Sequence, residues 1–163
     1  MAQRALNVLF VCERNSVRSI MAEALLNRFS EGRFRAFSAG IEPAADVHPL
    51  AVEMLKGSGI GSANLTPKSV SEFVLPSAPR MDFVISMGKD LAAAPGGLPG
   101  NPMQAQWGIS DPVAGDGDAA AQRFAFRRAL RELENRIRLF VLVRHHREAE
   151  GSIEAERQAH NGY

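Results

Sequence analysis

Cys12 is the sole cysteine of the chain, and Arg18 follows it after Glu13, Arg14, Asn15, Ser16 and Val17, with Ser19 directly beyond. A thiolate is a strong nucleophile, and a guanidinium offers a planar fork of donors that fits two oxygens of a tetrahedral anion, which a lysine cannot do. Together they suit attack on the central atom of a bound oxyanion. A displaced alkoxide or phenoxide leaves faster when an acid protonates it, and Asp111, before Pro112, has the right chemistry for that step. Taken alone, Asp-Pro is also a common turn dipeptide.

Such residues work only if local structure aims them. Val8-Leu9-Phe10-Val11 has the content of a strand covered on both faces, and Ile20 to Phe29 has the 3.6-residue apolar spacing of an amphipathic helix. The intervening loop therefore lies at a strand's carboxyl end and a helix's amino end, where unpaired N–H groups and the helix dipole converge on an anion. The same positive field favours the thiolate of Cys12. Asn15 has a short side chain that tolerates left-handed backbone and can bond neighbouring N–H groups. The bland alternatives are a small buried hydrophobe at Cys12, a helix cap at Ser19 and an exposed surface charge at Arg14.

The 163 residues suffice for one domain with a sizeable core, and 19 basic against 18 acidic residues leave a net charge of +1. No global field argues for nucleic acid or an anionic membrane surface. One cysteine excludes an internal disulfide and a multi-cysteine zinc site, no metal site is expected, and the cysteine usage together with the absence of an apolar leader points to the cytoplasm. The longest apolar run, Leu139 to Val143, is far shorter than a membrane span.

Further along, Arg35 to Ile41 reads as a second strand stopped by Gly40 and Pro43, and Asp46 to Gly57 as a helix with His48 as a solvated cap. A short helix is expected over Pro67 to Phe73 with Thr66 as its cap, a third strand over Met81 to Met87, a loop over Gly96 to Pro102 and a fourth strand over Met103 to Trp107. From Ala119 to Val143, Phe126, Leu130, Leu133, Ile137 and Phe140 make one helical stripe, with the arginines on a solvated face. The domain is expected to span residues 1–144, and 145–163 to form a polar, disordered tail; His145-His146 is too isolated for a metal site. Strands alternating with helices predict a single-domain α/β fold, an open parallel four-stranded sheet with helices on both faces.

Cys12, Arg18-Ser19 and Met21-Ala22-Glu23-Ala24, fused to the preceding strand, resemble the active-site loop of the low-molecular-weight protein tyrosine phosphatases and the related thioredoxin-type arsenate reductases. The resemblance runs from Asn7 to about Val143 and implies strand order 2-1-3-4, Cys12 and Arg18 as catalytic residues, residues 13–19 as the oxyanion loop, Asp111 as general acid and a Ser19 hydroxyl donating to sulfur. Ser38 to Ile41 and Trp107 to Pro112 look more like the reductases, although Trp107 equally suits a core. The departures are specific. Met87 and Ala94 stand where the reductases carry relay cysteines, so no internal thiol relay is possible. Val17 replaces a second loop cysteine of many phosphatases, and Val113-Ala114 replaces the tyrosine that flanks a phenyl ring. The reductases hold potassium with residues matching Asn15, Glu23 and Ser38 plus an acidic residue, near which this chain has Lys68, making bound potassium doubtful.

These features imply a cysteine-dependent phosphatase acting on phosphotyrosine-type monoesters through a phosphocysteine, with no cofactor. The alternative is an arsenate reductase that draws on an external thiol such as glutathione or mycothiol with a glutaredoxin-type partner, and a third reading is an oxyanion sensor without turnover. The expected partner is the small oxyanion or ester substrate, with no nucleic acid or membrane partner and a monomer as the default.

Overall fold

β1 (Leu6–Cys12) is the centre of a four-stranded parallel sheet of order β2-β1-β3-β4, the others being β2 (Phe34–Gly40), β3 (Phe83–Ser86) and β4 (Met103–Gln106). The computed structural model describes residues 3–88 and 98–160, so Ala94 and Gly96-Gly97 of the expected loop lie outside the described residues. The chain folds as one domain, in the order its resemblance implies. Flanked on both sides, β1 buries Val8 to Cys12 completely or nearly so, which is why it lacks strict polar alternation.

Three helices, α1 (Arg18–Phe29), α2 (Pro49–Gly57) and α3 (from Ala119), cover one face. There Val8, Phe10 and Cys12 pack with Met21 and Leu25 of α1, Ala51 and Leu55 of α2, and Phe126, Leu133 and Ile137 of α3. Leu9 and Val11 face the other way, toward Ala39, Phe73, Met81 and Val84. That face carries a single-turn 3-10 helix, Val70–Phe73. Trp107 packs as a core aromatic, with ring centroids 5.7 Å from Phe10 and 6.2 Å from Phe140.

Three expectations require correction. The helix expected over Pro67 to Phe73 shrinks to that one turn, capped by Ser69 instead of Thr66. The reason is competition from the sheet: Gly40 bridges to Ser69, and its N–H donates to the Lys68 carbonyl at 2.8 Å, holding Ser69 extended. Second, α3 does not end near Val143 but runs to His160 through the expected tail. Residues 144–160 are rich in arginine, glutamate and alanine, which favour helical backbone even where nothing is buried. Third, the arginines of α3 do more than meet solvent, since Arg138 lies 4.0 Å over the Phe29 ring and Arg144 lies 4.4 Å over Phe83. Among the described residues, no helix is long and apolar enough to cross a membrane.

Candidate active site

The loop between β1 and α1 is shaped by where its carbonyls go. Those of Cys12, Glu13, Arg14 and Ser16 accept from the N–H groups of Ile41, Glu42, Ala44 and His48 at 2.8–3.2 Å. With its carbonyls drawn outward onto the segment after β2, the loop turns its N–H groups the other way. Among the described residues, none accepts from the N–H groups of residues 13–17, which leaves them for an anion at the helix N-terminus. Asn15 makes the turn in left-handed backbone, φ 48°, as its side chain allows. The loop also rests directly on β2: a Cβ at Gly40 would lie 2.9 Å from the Asn15 Cβ and 3.0 Å from the Arg14 carbonyl carbon.

Behind the loop, a chain of hydrogen bonds has a fixed direction. The Lys68 backbone N–H donates to Asn15 Oδ1 at 2.9 Å, which orients the Asn15 amide so that Nδ2 donates to Ser19 Oγ at 2.8 Å. Ser19 Oγ stands 2.8 Å from Cys12 Sγ. When the sulfur is a thiolate, the hydroxyl proton is the one available to that contact, so Ser19 donates to it. Asn15 and Ser19 are wholly buried. Their side chains support the Cys12 sulfur from behind and do not line the cleft. Ser19 lies inside α1 and is not its cap; Val17 occupies that position without a side-chain cap bond.

The residues matching the reductases' potassium ligands do not reproduce an oxygen cage. Ser38 Oγ donates to Glu23 Oε2 at 2.5 Å, and the Lys68 ammonium sits 3.8 Å from the same carboxylate oxygen and 3.0 Å from the Thr66 carbonyl. A cation is thus already supplied by the chain. Burial pushes the Glu23 carboxyl pKa up, opposed by Ser38 and Lys68. Among the described residues there is no group of three histidine, cysteine, aspartate or glutamate side chains fit to hold a metal.

In front of the loop is a cleft of about 440 Å³ whose lining includes Cys12, Arg14, Ser16, Val17, Arg18 and Asp111. Arg18, almost buried, donates to the Ile109 carbonyl at 3.2 Å and reaches Asp111 Oδ2 at 3.5 Å. The Asp111 carboxyl is 40% exposed, and its Oδ1 accepts from the Val113 N–H at 3.0 Å. The Asp-Pro turn and the placement of a carboxyl at the cleft are therefore one feature. Arg14 lies exposed at the mouth, whereas Glu13 points into solvent and joins the loop through its carbonyl. His48 lines the cleft and caps α2, its Nδ1 accepting from the Leu50 N–H at 3.1 Å; it is half-buried on Phe126 and not a solvated cap.

A family model described as low molecular weight phosphotyrosine protein phosphatase matches residues 7–95, which holds the loop, β2, α2 and β3. The chain belongs to that family. It is 32% identical over 82% of its length to an arsenate reductase of Halalkalibacterium halodurans, covering 94% of that protein, and 31% identical over the same shares to an arsenate reductase of Bacillus subtilis. Its fold is similar to that of an arsenate reductase in the phosphate binding state, with TM-score 0.70, 27% identity, and 84% of this chain and 97% of that one covered. It is also similar to a low molecular weight protein tyrosine phosphatase from T. tengcongensis, with TM-score 0.65, 25% identity and coverage of 86% and 99%. The family's members are enzymes, phosphatases or arsenate reductases, and the chain shares that enzymatic class.

Two parts of this family site escape a reading of residue types. Gly40 reads as a strand stop, but its missing side chain is what lets β2 press on the loop. The donors at Ile41, Glu42, Ala44 and His48 are backbone groups, which carry no side-chain signature.

Proposed function

We propose that the chain is a cysteine-dependent phosphomonoester hydrolase of phosphotyrosine-type substrates. The observation that carries this reading is the solitary thiol, held by Ser19 2.8 Å away in a loop of free N–H groups. The Cys12 thiolate attacks phosphorus, the ester oxygen leaves with a proton from Asp111, and a phosphocysteine forms. Arg18 and the N–H groups of residues 13–17 hold the three equatorial oxygens and stabilise the charge developing there. Water, deprotonated by the Asp111 carboxylate, then attacks phosphorus and returns the thiolate, releasing phosphate. One thiol suffices, and no cofactor enters. The lining of Arg14, Ala44, Val47, Pro49 and Val113 offers an apolar wall and a cation without a phenyl ring to stack a substrate.

The relatives named arsenate reductase favour a second reading in which Cys12, Arg18 and the loop N–H groups meet the anion in the same way. Cys12 would attack arsenate with loss of water, and an external thiolate would then attack the Cys12 sulfur. The sulfur–arsenic electron pair passes to arsenic, arsenite leaves, and a mixed disulfide remains for a second external thiol to reduce. Two thiols are thereby oxidised for each arsenate reduced.

Parallel assays separate these readings. Hydrolysis of p-nitrophenyl phosphate and a phosphotyrosine peptide, with no arsenate-dependent NADPH oxidation in glutathione- or mycothiol-coupled systems, is the expected result. Arsenate-dependent oxidation without ester hydrolysis would establish the second reading. Cys12→Ser retaining full turnover in either assay would sink both.

A further inference from the structure

The last part of α3 leaves the body of the protein. From Val143 to His160 the helix continues for about 25 Å at 1.5 Å per residue, and nearly every described side chain on it is exposed. A helical segment of this length is marginal in water unless something packs on it, and Gly151 in its middle weakens it further. Yet its surface is not uniformly polar. Leu139, Leu142, Val143 and Ile153 are 60%, 66%, 45% and 54% exposed, and Leu139, Leu142, His146, Ala149 and Ile153 follow the alternating three- and four-residue spacing of a helix–helix seam.

Charge on this helix comes in two adjoining blocks. Residues 136–147 contain Arg136, Arg138, Arg144 and Arg147 and no acidic residue, whereas residues 148–154 contain Glu148, Glu150 and Glu154 and no basic one. Beside the basic block lies a groove of about 530 Å³ with an apolar floor from Trp107, Leu139, Phe140 and Val143, rimmed by Arg136, Arg144 and Arg147. Its complement is an acidic helix with a protruding aliphatic side chain. The chain carries that complement next to the groove, but on the same straight helix, which cannot fold back on itself without breaking.

We propose that this surface binds a second copy of the chain, with residues 139–154 of two α3 helices packed antiparallel about a twofold axis. An antiparallel pairing centred near residues 146–148 sets each basic block against the other copy's acidic block, and both contacts form at once. Ile153 of each copy enters the groove of the other. A parallel pairing would set like blocks together and is disfavoured. The contact uses under 20 residues a side, at the low end for specific interfaces, so the dimer is concentration-dependent and weakens with salt. It is independent of the Cys12 cleft.

Sedimentation equilibrium of the full chain from about 1 to 100 μM, at 50 and 500 mM salt, tests this. The expected result is a monomer–dimer equilibrium that shifts toward monomer at high salt. Leu142→Asp with Ile153→Asp should raise the dissociation constant at least tenfold. Glu150→Arg with Glu154→Arg should also raise it, and adding Arg136→Glu and Arg147→Glu on the groove rim of that same chain should restore association by exchanging the charges that meet across the contact. Circular dichroism and thermal unfolding check that each variant keeps the α/β body. A monomer at every concentration, or a dimer that survives both sets of substitutions, would overturn the proposal.

Discussion

Removing one hydroxyl, by Ser19→Ala, separates activation of the nucleophile from binding of the anion. Ser19 is wholly buried and makes two contacts at 2.8 Å, accepting from Asn15 Nδ2 and, when the sulfur is a thiolate, donating to Cys12 Sγ. The substitution strips the thiolate of a hydrogen bond to a charged group, a loss of about 1.5–3 kcal/mol. At about 1.4 kcal/mol per decade this is roughly a tenfold to hundredfold fall in the rate at which Cys12 is alkylated. It also leaves the Asn15 amide without its acceptor in a dry site, a further stability loss of about 1–3 kcal/mol. Alkylation of Cys12 by iodoacetamide, followed by mass spectrometry across pH 5–9, reads the first effect, and urea unfolding reads the second. Phosphate binding by calorimetry should change little, because the loop N–H groups and Arg18 are untouched. An unchanged alkylation profile would refute the directed chain from Lys68 through Asn15 and Ser19 to the sulfur.

Gly40→Ala should push the loop off β2, since the new methyl would sit 2.9 Å from the Asn15 Cβ and 3.0 Å from Arg14 backbone; phosphate affinity and turnover should each fall on the order of a hundredfold, with far-UV circular dichroism unchanged. Asp111→Asn should slow hydrolysis of an ester with a poor leaving group by roughly a hundredfold or more and a low-pKa aryl phosphate much less, as measured across a leaving-group series. Arg4 donates twice to Asp82, at 2.6 and 2.9 Å, and holds that carboxyl below its usual pKa, helped by the Asn7 N–H at 2.7 Å. The stabilisation is therefore present above the unfolded value of about 3.9 and lost as pH falls through and below it; Asp82→Asn should flatten the acid limb of a denaturation profile over that window.

How much of this was legible in the chain depended on whether a feature lives in side-chain type or in backbone placement. Cys12, Arg18 and the apolar run before them identify the strand, the loop and the helix start, because each imposes a residue preference: buried strand, anion, helix face. The stripe from Phe126 to Phe140 is equally plain, and its residues pack where the 3.6 period puts them. Residues 67–69 show the opposite case. The local signals there, Thr66 followed by Pro67, favour a helix start, but pairing with Gly40 draws Lys68 and Ser69 onto the sheet edge. By residue type alone Ser19 suits a cap, because serine near a helix start is common; its contact with Cys12 was legible only through the family resemblance, since that contact and the one to Asn15 are set by the loop's curvature. The α3 extension reads as disordered because low apolar content forecasts little burial, whereas its arginine, glutamate and alanine residues favour helical backbone continued from the packed part of α3.

The site has a rigid half and a tethered half, and this division bears on its chemistry. Cys12, Asn15 and Ser19 are tied by buried side-chain bonds, and the loop around them by four carbonyl bonds to residues 41–48. Loosening that half would require breaking several buried bonds together, so the oxyanion cradle is preformed and needs little reorganisation when an anion arrives. Asp111 belongs to the other half. It follows β4, whose four residues are all exposed, and it is held toward the cleft by Arg18 at 3.5 Å and by its own turn. On the proposed hydrolase reading, an oxyanion that engages the Arg18 fork would draw on the same donors that reach Asp111, so binding substrate would also free the carboxyl to turn toward the leaving oxygen. Binding energy is thus lodged in the buried loop, and proton transfer in a side chain with room to change partner. A hydrolase of the proposed kind, which must hold one tetrahedral anion while both giving and taking back a proton, needs that asymmetry, and the order of β1 and β4 in the sheet, on either side of β3, supplies it.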